Sequence, residues 1–308
     1  MREIIGWGGL LVVLAAASYL SHFSTPDGPR RAEPLARLGG LSRVELRTET
    51  ATVTIERLRE DGERFTRIRV GDEVFTGNAA LDERMDELAE LTPERTLGEL
   101  GPEQLDKTGL GGKGSLQLFE GEELALDLAL GDRAGGAGAR YARIRGREVV
   151  HLLDARLVSD LAAARSRYMQ RSLLSTEVRE LYGVRLRAGD RVERFVHVNR
   201  LSARDDYWAR PEAEDRIAEE ASNYVDKLLR LAARRYVDEA AFEAAAPVLS
   251  TTWTGEDDRE LERLELRRAG DAASPRYLAR STATRLPVEV PRGAAEVLER
   301  DLALVLGD

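Results

Sequence analysis

Two stretches of this chain, offset by 140 residues, carry matching apolar side chains, and this repetition limits the available folds more than any other feature. Leu81, Met85, Leu88 and Leu91 recur at steps of four, three and three between Asn78, a good N-cap, and Pro93, so they predict one face of a helix. Shifted by 140 residues, Leu81 falls on Ala221, Leu88 on Leu228 and Leu91 on Leu231, within a stripe that includes Ile217 and Tyr224. Gly131-Asp132 meets Gly270-Asp271 at 139, and Arg140-Tyr141 meets Arg276-Tyr277 at 136, slippage that short loop deletions produce. Several matches in one order predict an α+β chain of two tandem, structurally similar modules, each a largely antiparallel sheet packed with helices.

The first module, expected over 44–174, opens with strand-like runs at Val44 and Leu46, at Val53 and Ile55, and from Phe65 to Val70 after the turn signal Asp61-Gly62. Leu124, Leu126, Leu128 and Leu130 alternate with Ala125, Asp127 and Ala129, predicting a strand with four leucines on one face that Gly131-Asp132 ends. Residues 141–144 and 149–153 predict a hairpin through Arg145-Gly146-Arg147, and 155–168 a closing helix. In the second module, expected over 175–308, residues 178–186 and 192–198 read as strands. A helix is predicted from Pro211 to about Arg235. Glu212, Glu214 and Asp215 crowd its start and Arg230, Arg234 and Arg235 its end, as the helix dipole favours.

Ahead of both modules, residues 4–20 form an apolar run without charge or proline. At about 1.5 Å per residue the run reaches roughly 25 Å, and continuing through Phe23 approaches the hydrocarbon thickness of about 30 Å. Trp7 and Tyr19 stand near its ends, where amphipathic rings prefer the headgroup layer. The expectation is a transmembrane anchor over 1–23. Ala15-Ala16-Ala17 before Ser18 offers a signal-peptide cleavage site as the alternative, but the run continues past the alanines and Met-Arg-Glu ahead of it is barely basic, which favours a retained anchor. Proline and glycine at Pro26, Gly28, Pro29, Pro34, Gly39 and Gly40 predict a flexible linker over 24–43. Arg30, Arg31 and Arg37 follow the run and only Arg2 precedes it, a distribution that argues for a cytoplasmic C-terminal part. Long domains cross largely regardless of flanking charge, however, and a lone N-terminal anchor is the usual layout of an exported protein. The chain is therefore expected to be single-pass in the inner membrane, with its modules in the periplasm and its N-terminal helix in the lipid bilayer.

The net charge of -9 is spread through mixed acidic and basic residues, so no basic face points to nucleic acid. Cysteine is absent, which excludes disulfides, thiolate metal ligands and a cysteine nucleophile. Histidine occurs only at His22, His151 and His197, never in metal-ligand spacing, and the latter two fall in strand-like runs as structural side chains. Gly109-Leu110-Gly111-Gly112-Lys113-Gly114-Ser115 resembles a phosphate loop only superficially, because Gly114 follows the lysine and a strand follows the loop. Neighbouring acids such as Asp205-Asp206 are adjacent rather than facing. No catalytic, cofactor-binding or metal residue is proposed, and the expectation is a protein without enzymatic activity. Tyr207, Trp208 and Arg210, in the richest aromatic cluster, are the partner-surface candidates, with core packing of Trp208 as the competing reading.

Thr108-Gly109-Leu110 ahead of a strand, Leu130-Gly131-Asp132, Arg140-Tyr141-Ala142 with Val149-Val150-His151-Leu152-Leu153, and Tyr207-Trp208 together resemble bacterial envelope proteins of domain-of-unknown-function family 4340. Gly111-Gly112 stands where many members carry proline. The resemblance implies an N-terminal membrane helix followed by repeated modules, and association with ABC transport systems of the kind linked to gliding motility. It carries over no functional residues. The leading expectation is a membrane-anchored extracytoplasmic accessory or scaffold protein that works with ABC transporter membrane subunits. Alternatives are a ligand-binding or sensing module using the cleft between repeats and, third, an envelope hydrolase.

Overall fold

The computed structural model describes residues 33–307 apart from 61, 113, 136, 137, 203 and 272. Its first sheet comprises β1 (Leu41–Arg47), β2 (Thr52–Glu60), β3 (Glu63–Val70), β4 (Glu73–Thr76), β5 (Arg95–Glu99), β6 (Gly114–Glu120), β7 (Glu123–Arg133), β8 (Ala139–Ile144) and β9 (Val149–Asp154). Helix α1 (Ala79–Ala89) joins β4 to β5, α2 (Pro102–Asp106) joins β5 to β6, and α3 (Ala155–Ala162) and α4 (Ala164–Tyr168) follow β9. The second sheet contains β10 (Gly183–Ala188), β11 (Arg191–Val198) and β12 (Tyr207–Ala209), then α5 (Glu219–Leu229), β13 (Arg235–Tyr236) and α6 (Glu239–Glu243). It continues with β14 (Ala246–Thr254), β15 (Glu260–Ala269), β16 (Arg276–Ser281), β17 (Val288–Val290) and the closing α7 (Arg292–Leu306).

Strand order is β4-β3-β2-β1-β6-β7-β8-β9-β5 in the first sheet and β12-β11-β10-β14-β15-β16-β17-β13 in the second, antiparallel at every pairing. Removing the outermost β4 from the first order leaves the second. Two α+β modules with antiparallel sheets are thus present. The offset of 140 residues also holds in the helices: α1 begins at Ala79 and α5 at Glu219. Met85 then falls on Val225, and both are buried.

Each core forms where strand alternation meets a helix stripe. Val44 and Leu46 of β1 are buried while Arg43, Glu45 and Arg47 between and beyond them face the other side. Asn78 caps α1 by accepting the Leu81 amide at 3.3 Å, and Leu81, Met85 and Leu88 seat the helix on the sheet. In the second module Val184, Leu186, Leu264 and Leu266 meet Ala221, Val225 and Leu228 of α5 and Ala295 and Leu298 of α7. The opposite side of each sheet is only partly covered: α2 and Leu110 pack near β7 and β9, and Phe242 of α6 packs near β16.

Several expectations need correction. The linker expected over 24–43 ends sooner, because residues 41–43 belong to β1. Leu35, Ala36 and Leu38 pack on the first core, and the Leu35 and Leu38 amides donate to the carbonyls of Leu91 and Ala89 at 2.7 and 2.8 Å. Leu124 does not share the leucine face. A register shift at Leu118/Phe119 sets Leu124 opposite Phe119 and leaves it 45% exposed, while Leu126, Leu128 and Leu130 stay buried. Gly131-Asp132 does not end its strand, since β7 runs to Arg133. A Cβ on Gly131 would stand 2.2 Å from the Thr108 carbonyl oxygen, so glycine there lets the 108–110 loop lie against the strand. The closing helix breaks at Ala163 into α3 and α4. Residues 178–180 form a 3₁₀ turn, and β10 starts only at Gly183.

The long helix predicted from Pro211 to Arg235 is confined to α5, whose acidic first turn is Glu219 and Glu220. Ahead of it the chain folds back on β12: the Ala218 amide donates to the Trp208 carbonyl at 2.9 Å and the Tyr207 hydroxyl to the Glu214 carbonyl at 2.9 Å. Ile217, placed on the apolar stripe by spacing, is 53% exposed. Arg235 lies in β13 instead of a helix end. The expected anchor over 1–23, and the linker before residue 33, lie outside the described residues. Among the described residues no helix is long and apolar enough to cross a membrane.

One carboxylate reinforces the backbone pairing of the short edge strand β13 with β17. Glu289 Oε2 accepts from Arg235 Nη2 and Arg276 Nη2, each at 2.7 Å, and from Nε of both. Burial pushes the Glu289 carboxyl up, but the two guanidinium groups outweigh it and its pKa is lowered from the ordinary 4.5. A depressed folded-state pKa contributes stability above the unfolded value, and that contribution disappears as pH falls through the folded value. Glu289→Gln is expected to cost about 1–3 kcal/mol at neutral pH. Urea unfolding should show this deficit constant above about pH 5 and shrinking below 4.5; a deficit independent of pH would mean the charge contributes nothing.

Candidate functional site

The two modules meet through side chains that neither core consumes. Thr76, at the end of β4, donates its hydroxyl to the Thr284 carbonyl at 2.5 Å, an inter-module bond between buried groups. Arg285, beside it, lies 4.4 Å over the Phe65 ring and reaches Glu63 at 2.6 Å. Tyr236 packs against both cores, 6.0 Å from Phe75, and donates to the Gln170 carbonyl at 3.1 Å. Burial pushes its hydroxyl pKa up to about 12, so it remains a neutral donor. Between these contacts opens a polar cleft of about 810 Å³, lined among others by Phe65, Thr66, Leu174, Thr176, Glu262 and Arg285.

Glu262 is the most unusual side chain in this cleft. It stands near the start of β15, on the face that Leu264 and Leu266 turn toward the core, and is 2% exposed. Its Oε1 accepts the Ser175 amide at 2.7 Å, the Thr176 amide at 2.8 Å and the Thr176 hydroxyl at 3.0 Å, together with the Ser175 hydroxyl. The carboxylate thereby fastens the segment between the modules to the second sheet. Its Oε2 has no hydrogen-bond partner among the described residues. Burying an acceptor without a donor is costly, and such an atom is a natural place for a donor from outside the chain. Spacing held a signal for this residue: extending the Leu264 and Leu266 alternation back by two puts Glu262 on the apolar face. Amid Glu260, Arg263 and Glu265 it reads instead as part of a solvated charged strand.

The partner-surface candidates do not form one surface. Trp208 is 3% exposed, stacked on His197 at 4.4 Å with 9° between planes and edge-on to Trp253 at 5.9 Å. Its amide donates to Ser222 Oγ at 3.0 Å and thereby clips β12 to α5. It is a core residue and presents no partner surface. Tyr207 is half-buried with its hydroxyl on Glu214, and only Arg210 is exposed, paired with Glu193 at 2.7 Å. None of the three lines the inter-module cleft.

The histidines of the sheets are both buried. His151 Nδ1 lies 3.1 Å from Thr96 Oγ1, and burial, with the Arg147 charge nearby, lowers its pKa. His197 Nδ1 lies 3.0 Å from the Leu181 carbonyl oxygen and Nε2 3.2 Å from Asp206. The glycine-rich segment at 109–112 is a turn feeding β6, with Gly109 at φ +67°, and no helix opens there to receive a phosphate. Among the described residues no three acidic, histidine or cysteine side chains converge as a metal site.

The model of a family described as a domain of unknown function, DUF4340, matches residues 76–248, from the last residue of β4 into β14. That is more than half of the chain, which belongs to this family. No curated protein and no solved structure matches it.

Proposed function

We propose that this member of the DUF4340 family is a membrane-tethered extracytoplasmic accessory or scaffold protein that works with an ABC-type transport system, of the kind linked to gliding motility. The apolar run at 4–20 and the family resemblance motivate the tether and the transporter. The observation that carries the scaffold reading is the repetition of one topology in two sheets, each with helices on one side and a partly open, charged side. Thr54, Glu56 and Arg69 on the first sheet, and Arg185, Arg187 and Thr252 on the second, are left for solvent or a partner. Paired docking faces on one chain suit a protein that bridges others.

A photo-crosslinking amino acid in place of Arg69, which is exposed on β3, tests this in intact cells. Recovery of a transporter membrane subunit is expected; its absence, under conditions that preserve such complexes, would remove the reading. Protease treatment of spheroplasts should digest the modules while leaving cytoplasmic proteins whole.

A second reading, a ligand-binding or sensing module, is favoured by the partnerless Glu262 Oε2 beside the inter-module cleft. Its ligand would carry a hydrogen-bond donor, as an ammonium or amide group does.

A further inference from the structure

We infer that the open side of the second sheet is a binding site for a phosphate-type oxyanion, held by Arg185, Arg187 and Arg263 around the hydroxyls of Thr252 and Ser250. The inference stands on these side chains and does not depend on the scaffold reading. Cross-strand register sets Thr252 between Arg185 on β10 and Arg263 on β15. In the adjoining row Ser250 lies between Arg187 and Glu265, with Arg280 next beyond. Val184, Leu186, Leu249, Leu264 and Leu266 turn to the core, so the intervening residues share the open side. Neighbouring strands are about 4.8 Å apart, which sets the Arg185 and Arg263 backbones roughly 10 Å from each other, with a hydroxyl between. Two long guanidinium arms can close over one tetrahedral anion across that span. The side chains border a groove of about 620 Å³.

Charge pairing separates the arginines of this groove. Arg280 is engaged by Glu239, Glu243 and Glu265, and Arg285 by Glu60 and Glu63. Among the described residues Arg263 pairs only with the exposed Glu260 three residues before it, a pair of small worth. Arg185, half-buried, and Arg187, exposed, have no carboxylate within 4.0 Å among the described residues. Asp258, held by Arg194, feels the Arg185 charge without pairing with it, and a partly desolvated guanidinium lacking a direct ion pair favours a ligand that supplies one. The first module shows the alternative: Arg43 there pairs with Glu45 and Glu122 at 3.4 Å and lies 4.0 Å over Phe119. Guanidinium forks and hydroxyl donors from three strands suit an anion with several oxygens, whether a free phosphate or a lipid headgroup.

The test uses the full-length protein in neutral phosphatidylcholine nanodiscs, titrated calorimetrically with inorganic pyrophosphate at low ionic strength. Saturable binding is expected, weakened about tenfold or more in Arg185→Gln and reduced in Thr252→Val. Arg230→Gln, on the exposed surface of the second module, should bind like the parent. Should Arg185→Gln lose its near-ultraviolet dichroism, Arg187→Gln carries the same expectation of weaker binding from an exposed position. Repeating the titration in discs containing phosphatidylglycerol separates the sources: suppressed pyrophosphate binding identifies the headgroup, and unchanged binding a soluble phosphate. Absence of saturable binding, equal affinity in the groove variants, or an equal loss in Arg230→Gln overturns the inference.

Discussion

Trp208→Ala is expected to destabilise the second module by about 3–5 kcal/mol, the range for removing a large aromatic side chain from a packed core. The loss combines three effects of one side chain. The indole fills space between His197 and Trp253, so its removal leaves a cavity that rings fixed in a sheet collapse into poorly. His197 loses its stacking face while its two ring nitrogens stay tied to Leu181 and Asp206. The third effect is indirect: β12 is only three residues long and is clipped to α5 through Ser222, so loosening the ring frees a sheet edge as well. Arg210→Ala, two residues away and exposed, should stay within about 0.5 kcal/mol. Chemical denaturation at neutral pH measures both. A Trp208→Ala protein as stable as the parent, yet unable to crosslink its partner, would restore the indole to a docking surface and contradict its burial.

The second large effect is expected at Glu262, where alanine and glutamine should behave differently. Alanine removes the acceptor of two amides and two hydroxyls at once, and each donor left dry costs about 1–3 kcal/mol. Water can reach some of these part-buried groups, so Glu262→Ala is expected to cost about 3 kcal/mol in all. Glutamine keeps a carbonyl oxygen in the Oε1 position and replaces a partnerless acceptor with a partnerless amide, while removing a buried negative charge. Its cost should be about 1 kcal/mol. Comparable losses in the two variants would show that the charge, and not the acceptor geometry, secures the inter-module segment. Stability gained in Glu262→Gln upon adding an amine ligand would argue against the ammonium reading of the cleft, because the charge that selects it would be gone.

Local periodicity made one part of this fold legible and hid another. The α1 stripe and its echo in α5 follow from spacing alone, because each helix closes its own hydrogen bonds and needs only one apolar face. The hairpin of β8 and β9 is legible for the same reason, with Gly146 at φ +80° making the turn. By contrast, the segment from Pro211 to Ala218 has helical composition and dipole-compatible charges, yet non-helical bonds back to Trp208 and Tyr207 hold it in turns. Leu124 shows a second limit. Alternation assumes a constant register, and a single bulge at Leu118/Phe119 moves one leucine to the surface without any mark in the pattern.

The candidate sites were harder to read because each is assembled across strands. Thr252 gains significance only from its neighbours, Arg185 on a distant strand and Arg263 across the β14–β15 hairpin. Glu262 is conspicuous only once Ser175 and Thr176 are seen to spend four donors on one of its oxygens. The Tyr207-Trp208 cluster attracted attention for its aromatic content, yet the same content made burial its stable outcome.

The strand that follows each long helix joins the far edge of its sheet, β5 against β9 and β13 against β17, and among the described residues its only strand partner is the last strand of the module. A nascent chain emerging N-terminus first therefore carries residues 95–99 unpaired until 149–154 have left the ribosome, and residues 235–236 unpaired until 288–290 appear. Neither half can mature piecemeal. Each stays open to chaperones until its own final strand is made, so the last hairpin of a module sets when that module can close.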